Sequence, residues 1–227
     1  MSTKEVKLYS SWFCPFAQRA WIALLEKKVN FQYMEIDPYN KTKEFLSINP
    51  RGLVPVIVNN GKCVYESSIC IEYVDEAWRN QDTDLMPSDP YERARLRIWS
   101  DFISRKIIPA FYQYLMRQSL LNHLETLTSE MSDSGPFFQS SLFGLVDIML
   151  VPFTIRFDML KHFRGFELPE TQIFQRLRRW MEAAHSRETV KATMADGKKL
   201  IDKYQRYADD SVKSEVADAI RKGTALP

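Results

Sequence analysis

The apolar positions of the first eighty residues switch between two periods. Val6-Lys7-Leu8-Tyr9 alternates apolar with polar and predicts a short strand. Ala17, Ala20, Trp21, Leu24 and Leu25 then fall at the i, i+3, i+4, i+7, i+8 spacing of a helix. Positions 31–36 return to strand, with Met34 and Ile36 on one face. Strand, helix and strand in that order make a crossover unit, which joins parallel strands. Positions 54–58 and 62–66 read as two further strands. The Asn59-Asn60-Gly61 between them is a hairpin signal and adds antiparallel pairing. A helix over 67–78, with Ile69, Ile71, Tyr73, Val74 and Trp78 as its apolar members, closes the unit. This β-α-β then β-β-α order is that of a thioredoxin-like fold.

Positions 80–90 hold Asp, Gln, Thr, Ser, Pro87 and Pro90 with almost nothing to bury, and read as a linker. From Tyr91 onward strand signals vanish. A helix over 93–108 carries Leu96, Trp99, Ile103 and Ile107 on one stripe, and Pro109 should kink or end it. Helical patterns continue near 110–131, 145–163, 171–185 and 190–207, and a short charged helix at 211–222 is stopped by Gly223. The expected architecture is therefore α/β plus all-α. A thioredoxin-like domain at 1–80 is joined by a linker at 81–90 to an all-helical domain at 91–227.

Composition narrows the functional classes. An apolar fraction of 45% and a charged fraction of 26% over 227 residues are those of a soluble globular protein. A formal net charge of +2 gives no general attraction to nucleic acid or anionic membrane, so neither is expected as a partner. Three cysteines without framework spacing argue for a reducing compartment. No signal pattern or long apolar run appears, and a cytoplasmic location is the expectation. His123, His162 and His185 lie far apart with no ligand spacing near a cysteine, so no metal site is expected.

The chemistry concentrates at Cys14-Pro15-Phe16, where the first strand gives way to the first helix. Proline is favoured at the first helical position, which makes Cys14 the N-cap. The helix end carries about half a positive charge. A thiol there is expected to ionise easily, since helix-N-terminal cysteines have pKa values of about 3.5 to 7.5 against about 8.5 when free. Three positions on stands Ala17 rather than the second cysteine of a C-x-x-C pair. A mixed disulfide on Cys14 therefore has no neighbour in sequence to resolve it, and a small external thiol is the natural candidate.

Four stretches carry a family resemblance. They are Ser11-Trp12-Phe13-Cys14-Pro15-Phe16-Ala17-Gln18-Arg19, Asn49-Pro50-Arg51-Gly52-Leu53-Val54-Pro55-Val56, Tyr65-Glu66-Ser67 and Gly144-Leu145-Val146-Asp147. Together they resemble an omega-class cytosolic glutathione transferase, and the closing Arg206-Tyr207-Ala208-Asp209 and Arg221-Lys222-Gly223-Thr224-Ala225-Leu226-Pro227 resemble its fungal branch most. The resemblance implies glutathione as cosubstrate, Cys14 as catalytic nucleophile, and Phe16, Lys41, Val54, Pro55, Glu66 and Ser67 as its binding set. Pro55 matches the family's cis-proline and Val54 the residue that offers its backbone to the cysteinyl part. Glu66 and Ser67 match the pair that holds the γ-glutamyl end, and Lys41 the lysine that meets the glycyl carboxylate. Phe153 and Arg156 match residues lining the second-substrate pocket. Asp147 matches the acid of a capping motif, with Gly144 where Ser or Thr is usual. The resemblance also implies a homodimer. Two departures bear on the acceptor pocket: the stretch from Pro109 to Gly135 is shorter than in most relatives, and the aromatic residue that closes the pocket in some animal members falls near Gly197-Lys198.

The leading expectation is a thiol transferase or reductase acting on glutathionylated substrates, dehydroascorbate, or glutathionyl ketones and phenols. Conjugation of small electrophiles would instead use a nearby hydroxyl, for which Tyr9, Ser10 and Ser11 are candidates. A binding protein for aromatic, polyphenol-like ligands is the alternative of a different class, with Phe111-Tyr112-Gln113-Tyr114 and Phe137-Phe138 as candidate groove residues. A chloride-channel-like member of the same superfamily is disfavoured, because Gln18, Arg19, Glu26, Lys27 and Lys28 interrupt the first helix.

Overall fold

The first strand, β1 (Val6–Ser10), forms where the alternation places it, with Val6, Leu8 and Ser10 buried. The computed structural model describes residues 5–79, 83–116 and 120–224. After β1 come α1 (Pro15–Glu26), β2 (Gln32–Glu35), α2 (Lys43–Ile48), β3 (Val56–Asn59), β4 (Lys62–Tyr65) and α3 (Ser67–Ala77). The sheet order is β2-β1-β3-β4. β1 runs parallel to β2, with Leu8 opposite Tyr33, and antiparallel to β3, with Leu8 opposite Ile57. β3 and β4 form the expected hairpin, and both loop residues, Asn60 and Gly61, take positive φ, as such two-residue turns require. The short α2 was not legible from periodicity. Thr42 caps it by accepting from the Phe45 N–H at 3.2 Å, and Phe45 packs with Ile36 and Val56 in a small separate core.

The remainder is helical: α4 (Pro90–Phe102), α5 (Ile108–Met116), α6 (Leu120–Ser129), α7 (Leu145–Thr154), α8 (Phe157–Arg164), α9 (Gln172–Ser186), α10 (Glu188–Lys191), α11 (Gly197–Ala208) and α12 (Glu215–Lys222). A π-helical turn at Ile103–Ile107 joins α4 to α5, immediately before Pro109, whose ring cannot sit in a regular helix interior. The expected single helices at 145–163 and 190–207 are each broken, the first near Arg156 and the second at Asp196, which caps α11. Among the described residues, no helix is long and apolar enough to cross a membrane.

The stretch expected to bury almost nothing is instead packed. Leu85 and Met86 are both buried in the main core. The Leu85 N–H donates to Asp75 Oδ1 at 2.8 Å, and its C=O accepts from Leu145 N–H at 3.0 Å. Lys27 Nζ, fully buried, pairs with Asp75 at 3.0 Å and donates to the Thr83 carbonyl at 2.7 Å. Two apolar residues within a polar run escape a reading by composition.

The start of α7 explains the departure at Gly144. A Cβ there would lie 2.7 Å from the Leu85 carbonyl oxygen, so the chain can pass this close only beside glycine. Asp147 supplies the cap from within the helix: Oδ2 accepts from the Gly144 N–H at 2.9 Å. Its Oδ1 accepts from the Phe138 N–H at 2.9 Å and from Trp180 Nε1–H at 2.6 Å, which ties the loop before α7 to α9. Burial pushes this carboxyl up to about 6 against the pull of those donors. Replacing Asp147 by Ala leaves three buried N–H groups unpaired, at about 1–3 kcal/mol each. Urea denaturation of Asp147→Ala should show a loss of at least about 3 kcal/mol; a loss under about 1 kcal/mol would mean that these bonds do not hold the helical domain together.

Candidate active site

Cys14 is the N-cap of α1, in extended conformation (φ −80°, ψ 117°), with Pro15 at the first helical position. Its thiol is half-buried and free. It opens into a cavity of about 390 Å³ between the sheet domain and the helices. Phe16, Lys41, Val54, Pro55, Glu66 and Ser67 all line that cavity with Cys14. Six positions spread over fifty residues of sequence are thus brought to one concavity, each by a different local device.

Pro55 follows a cis peptide bond, as the resemblance implies, and begins the approach to β3. Val54 precedes the strand, so its backbone lies outside the sheet register. Gly52 holds a positive φ of 65°, and a Cβ there would meet Lys41 Cδ at 2.9 Å, so glycine makes room for the lysine stem. Glu66 also takes a positive φ, 71°, a strained backbone for a residue with a Cβ. Its carboxylate is ion-paired with Arg51. Arg51 sat within a quoted motif, but nothing in the sequence identified it as the partner of Glu66. Ser67 opens α3, and its Oγ accepts from Arg19 Nη1 at 3.0 Å, which leaves its own O–H free to donate into the cavity.

The other wall is aromatic. Tyr112 from α5 and Tyr204 and Tyr207 from α11 line the cavity, together with Tyr39 and the start of the tail, Lys213 to Val216. The Tyr204 O–H donates to the Phe13 carbonyl at 3.3 Å, and the Tyr207 hydroxyl lies 3.0 Å from Ser214 Oγ. Tyr39 stacks on Phe13 at 6.2 Å, with Lys203 Nζ over both rings. Burial raises the phenols of Tyr112 and Tyr204, so both stay protonated. The absence of an aromatic residue at Gly197-Lys198 therefore does not leave the cavity without aromatic side chains. The sequence offered Tyr112 within a candidate groove cluster, whereas nothing in it aimed Tyr204 or Tyr207 at a site.

Several expectations are corrected. Phe153 and Arg156 do not line the cavity: Phe153 is fully buried and Arg156 is 2% exposed. They face α1 across the domain boundary, where Phe153 packs edge-on to Phe16 at 5.6 Å. Arg156 donates to the Phe13 carbonyl at 3.0 Å and to Gln18 Oε1 at 2.9 Å. Phe111, Tyr114, Phe137 and Phe138 are core residues, and of those clusters only Tyr112 reaches the cavity. Tyr9, Ser10 and Ser11 do not line it either; the Ser11 hydroxyl is turned to Glu35 Oε1 at 3.4 Å.

The thiol itself departs from the expected acidity. Burial pushes Cys14 above the ordinary thiol range, more than the Ala17 and Phe16 amides and the charges of Arg156 and Arg19 pull it down. The Cys14 side chain makes no N-cap hydrogen bond of regular geometry, although the Ala17 and Phe16 amides still favour its anion. Among the described residues, no group of three or more His, Cys, Asp or Glu side chains could hold a metal ion.

A free cysteine caps the first helix of a thioredoxin-like domain, over a cleft closed by a helical domain. The description "Glutathione S-transferase, N-terminal domain" matches residues 13–77, and its C-terminal counterpart matches residues 76–183. Glutathione S-transferase U26 of Arabidopsis thaliana is 33% identical over 89% of this chain and 94% of its own length. Glutathione transferase Omega 3C from Trametes versicolor superposes with a TM-score of 0.83 at 35% identity, covering 94% of each chain. Rice GST1, solved in complex with glutathione, gives a TM-score of 0.83 at 28% identity over 94% of this chain and all of its own. The chain belongs to the glutathione S-transferase family.

The reactive species is the thiolate, so a raised pKa moves reactivity to higher pH. With the exposed Cys63 removed (Cys63→Ser), the pH of half-maximal alkylation of Cys14 should lie above the value of about 8.5 for free cysteine. Peptide mapping separates it from Cys70, which is buried and pushed up to about 12. A midpoint below that of free cysteine would contradict the dominance of burial.

Proposed function

We propose that the protein is an omega-type, glutathione-dependent thiol transferase with Cys14 as its nucleophile. The observation that carries this reading is the thiol at the mouth of a cavity whose opposite edge presents Val54, Glu66, Ser67 and Lys41. That edge suits a γ-glutamyl tripeptide. Val54 offers an unpaired stretch of backbone to the cysteinyl unit as a short strand addition. Ser67 and the first amides of α3 accept the γ-glutamyl carboxylate, favoured by the helix end, while Glu66 meets the ammonium. Lys41 faces the glycyl carboxylate. In this reading residues 1–80 bind glutathione and residues 91–227 carry the acceptor.

The reaction balances in two exchanges. The Cys14 thiolate attacks the glutathione sulfur of a mixed disulfide; the old S–S bond breaks and the substrate leaves as a thiol once protonated. A second glutathione, as thiolate, then attacks the Cys14–glutathione disulfide, which releases oxidised glutathione and restores Cys14. A conjugating enzyme uses a hydroxyl beside the thiol of glutathione, and Tyr9, Ser10 and Ser11 are not among the residues lining the cavity. The choice between this chemistry and conjugation rests on the sulfur, since the mango neighbour of similar fold is a Tau-class enzyme at 26% identity.

A second reading, reversible binding of flat aromatic ligands, is favoured by the tyrosine-lined wall and can share the cavity with catalysis. Cys14→Ser separates the two. Disulfide exchange with a glutathionylated substrate should fall on the order of 10³-fold or more, while glutathione affinity, measured calorimetrically, stays within about threefold. Full thiol transfer in that variant refutes the assignment; loss of transfer with intact aromatic-ligand binding leaves both uses of the cavity standing.

A further inference from the structure

Two arginines cross the domain boundary in opposite directions. Arg19, on α1, reaches the helical domain: its Nε and Nη2 donate to the Met149 carbonyl of α7 at 3.1 and 2.7 Å. Arg156, at the start of α8, reaches back: its Nη2 donates to the Phe13 carbonyl at 3.0 Å and its Nη1 to Gln18 Oε1 at 2.9 Å. Each is 2% exposed. Among the described residues, neither guanidinium touches a carboxylate; the partners are carbonyls, an amide oxygen, the Ser67 hydroxyl and the rings of Phe16 and Phe153. Arg156 Nε has no partner.

The charges at the far end of α1 are compensated instead: Glu26 pairs across the boundary with Arg187 at 2.6 Å, and Lys27 pairs with Asp75 of its own domain at 3.0 Å. A buried charge without a counter-ion is costly, and neutral hydrogen bonds offset only part of the cost. The two uncompensated cations flank the turn that carries Cys14: Arg156 holds the carbonyl of the preceding residue, and Arg19 lies one turn along the helix that Cys14 caps.

We propose that Arg19 and Arg156 are positioning residues that form a reciprocal clamp between the domains, and that the Cys14 thiolate is the anion their two charges are placed to meet. Docking of the helical domain then does more than complete the cavity, since it delivers one of the two cations. Tyr112 on α5, Tyr204 on α11 and Tyr39 line the cavity with Cys14, as do Lys41, Glu66, Lys213 and Glu215, and Tyr33 on β2 interacts electrostatically with the thiol. The four phenols are neutral at pH 7 and add no competing anion. Burial lowers the Arg19 guanidinium to about 9, and the groups that favour its charge are Cys14 and Tyr112.

The inference concerns the same thiol as the proposed function, yet its test reads ionisation and not turnover, so either can fail alone. In the Cys63→Ser background, Arg19→Met and Arg156→Met should each raise the pH of half-maximal Cys14 alkylation by about one unit. At a fixed pH below the midpoint this appears as roughly tenfold slower alkylation. Arg156→Lys, which keeps the charge and loses the fork, should restore most of the shift. Unchanged midpoints accompanied by lower melting temperatures would overturn the proposal and leave the arginines as neutral staples. Should the Met variants fail to fold, the anion is varied instead. Asp and Asn cap helices about equally well, so Cys14→Asp should melt above Cys14→Asn at pH 7, with the difference reduced in high salt. An Asp variant that melts at or below the Asn variant would equally overturn it.

Discussion

The geometry of this protein depends on α1 being gripped from both sides. Its first turn belongs to the sheet domain by chain connectivity, yet the Phe13 carbonyl and Gln18 are held by Arg156, and Gln18 Nε2 donates to the Thr193 hydroxyl at 2.9 Å and carbonyl at 3.1 Å. Arg19 returns the contact to α7. At the far end of α1, Glu26 is held by Arg187 and Lys27 by Asp75. A helix fixed at both ends cannot rotate relative to either domain, and the sulfur at its tip is placed by that fixity.

The same burial that fixes the helix works against ionisation of the thiol. Two opposed effects meet at Cys14: desolvation, which favours the neutral thiol, and the first-turn amides with the charges of Arg156 and Arg19, which favour the anion. Desolvation is the larger. A thiol held high is scarce as thiolate but more nucleophilic once ionised, because nucleophilicity falls as pKa falls.

The fold was legible in the sequence wherever a local rule decides it. Pro15 after Cys14 gave the helix start, Asn60-Gly61 the hairpin, and the change from alternating to helical spacing the two-part architecture. That Val54, Pro55, Glu66 and Ser67 share one cavity with Cys14 was legible from short motifs, whereas Lys41 joins them from outside any motif. What was hidden depends on long-range packing. Leu85 and Met86 were lost in a polar run, and Thr42, with its cap on α2, carries no periodic signal in six residues. Arg156 and Phe153 were placed at the acceptor site by resemblance, whereas the wholly buried α7 turns them onto α1. Tyr112, Tyr204 and Tyr207 of the cavity wall lie on two helices nearly a hundred residues apart in sequence, and no pattern within either helix shows that they converge.

The chain shares its scaffold with an omega-class and a tau-class glutathione transferase, and a cysteine occupies its helix tip beside the cavity. The most direct measurement is to expose the protein to oxidised glutathione and map the modified peptides by mass spectrometry. The account predicts one glutathione adduct, on Cys14, removed by added reduced glutathione. An unmodified Cys14, with any adduct confined to the exposed Cys63, would contradict it.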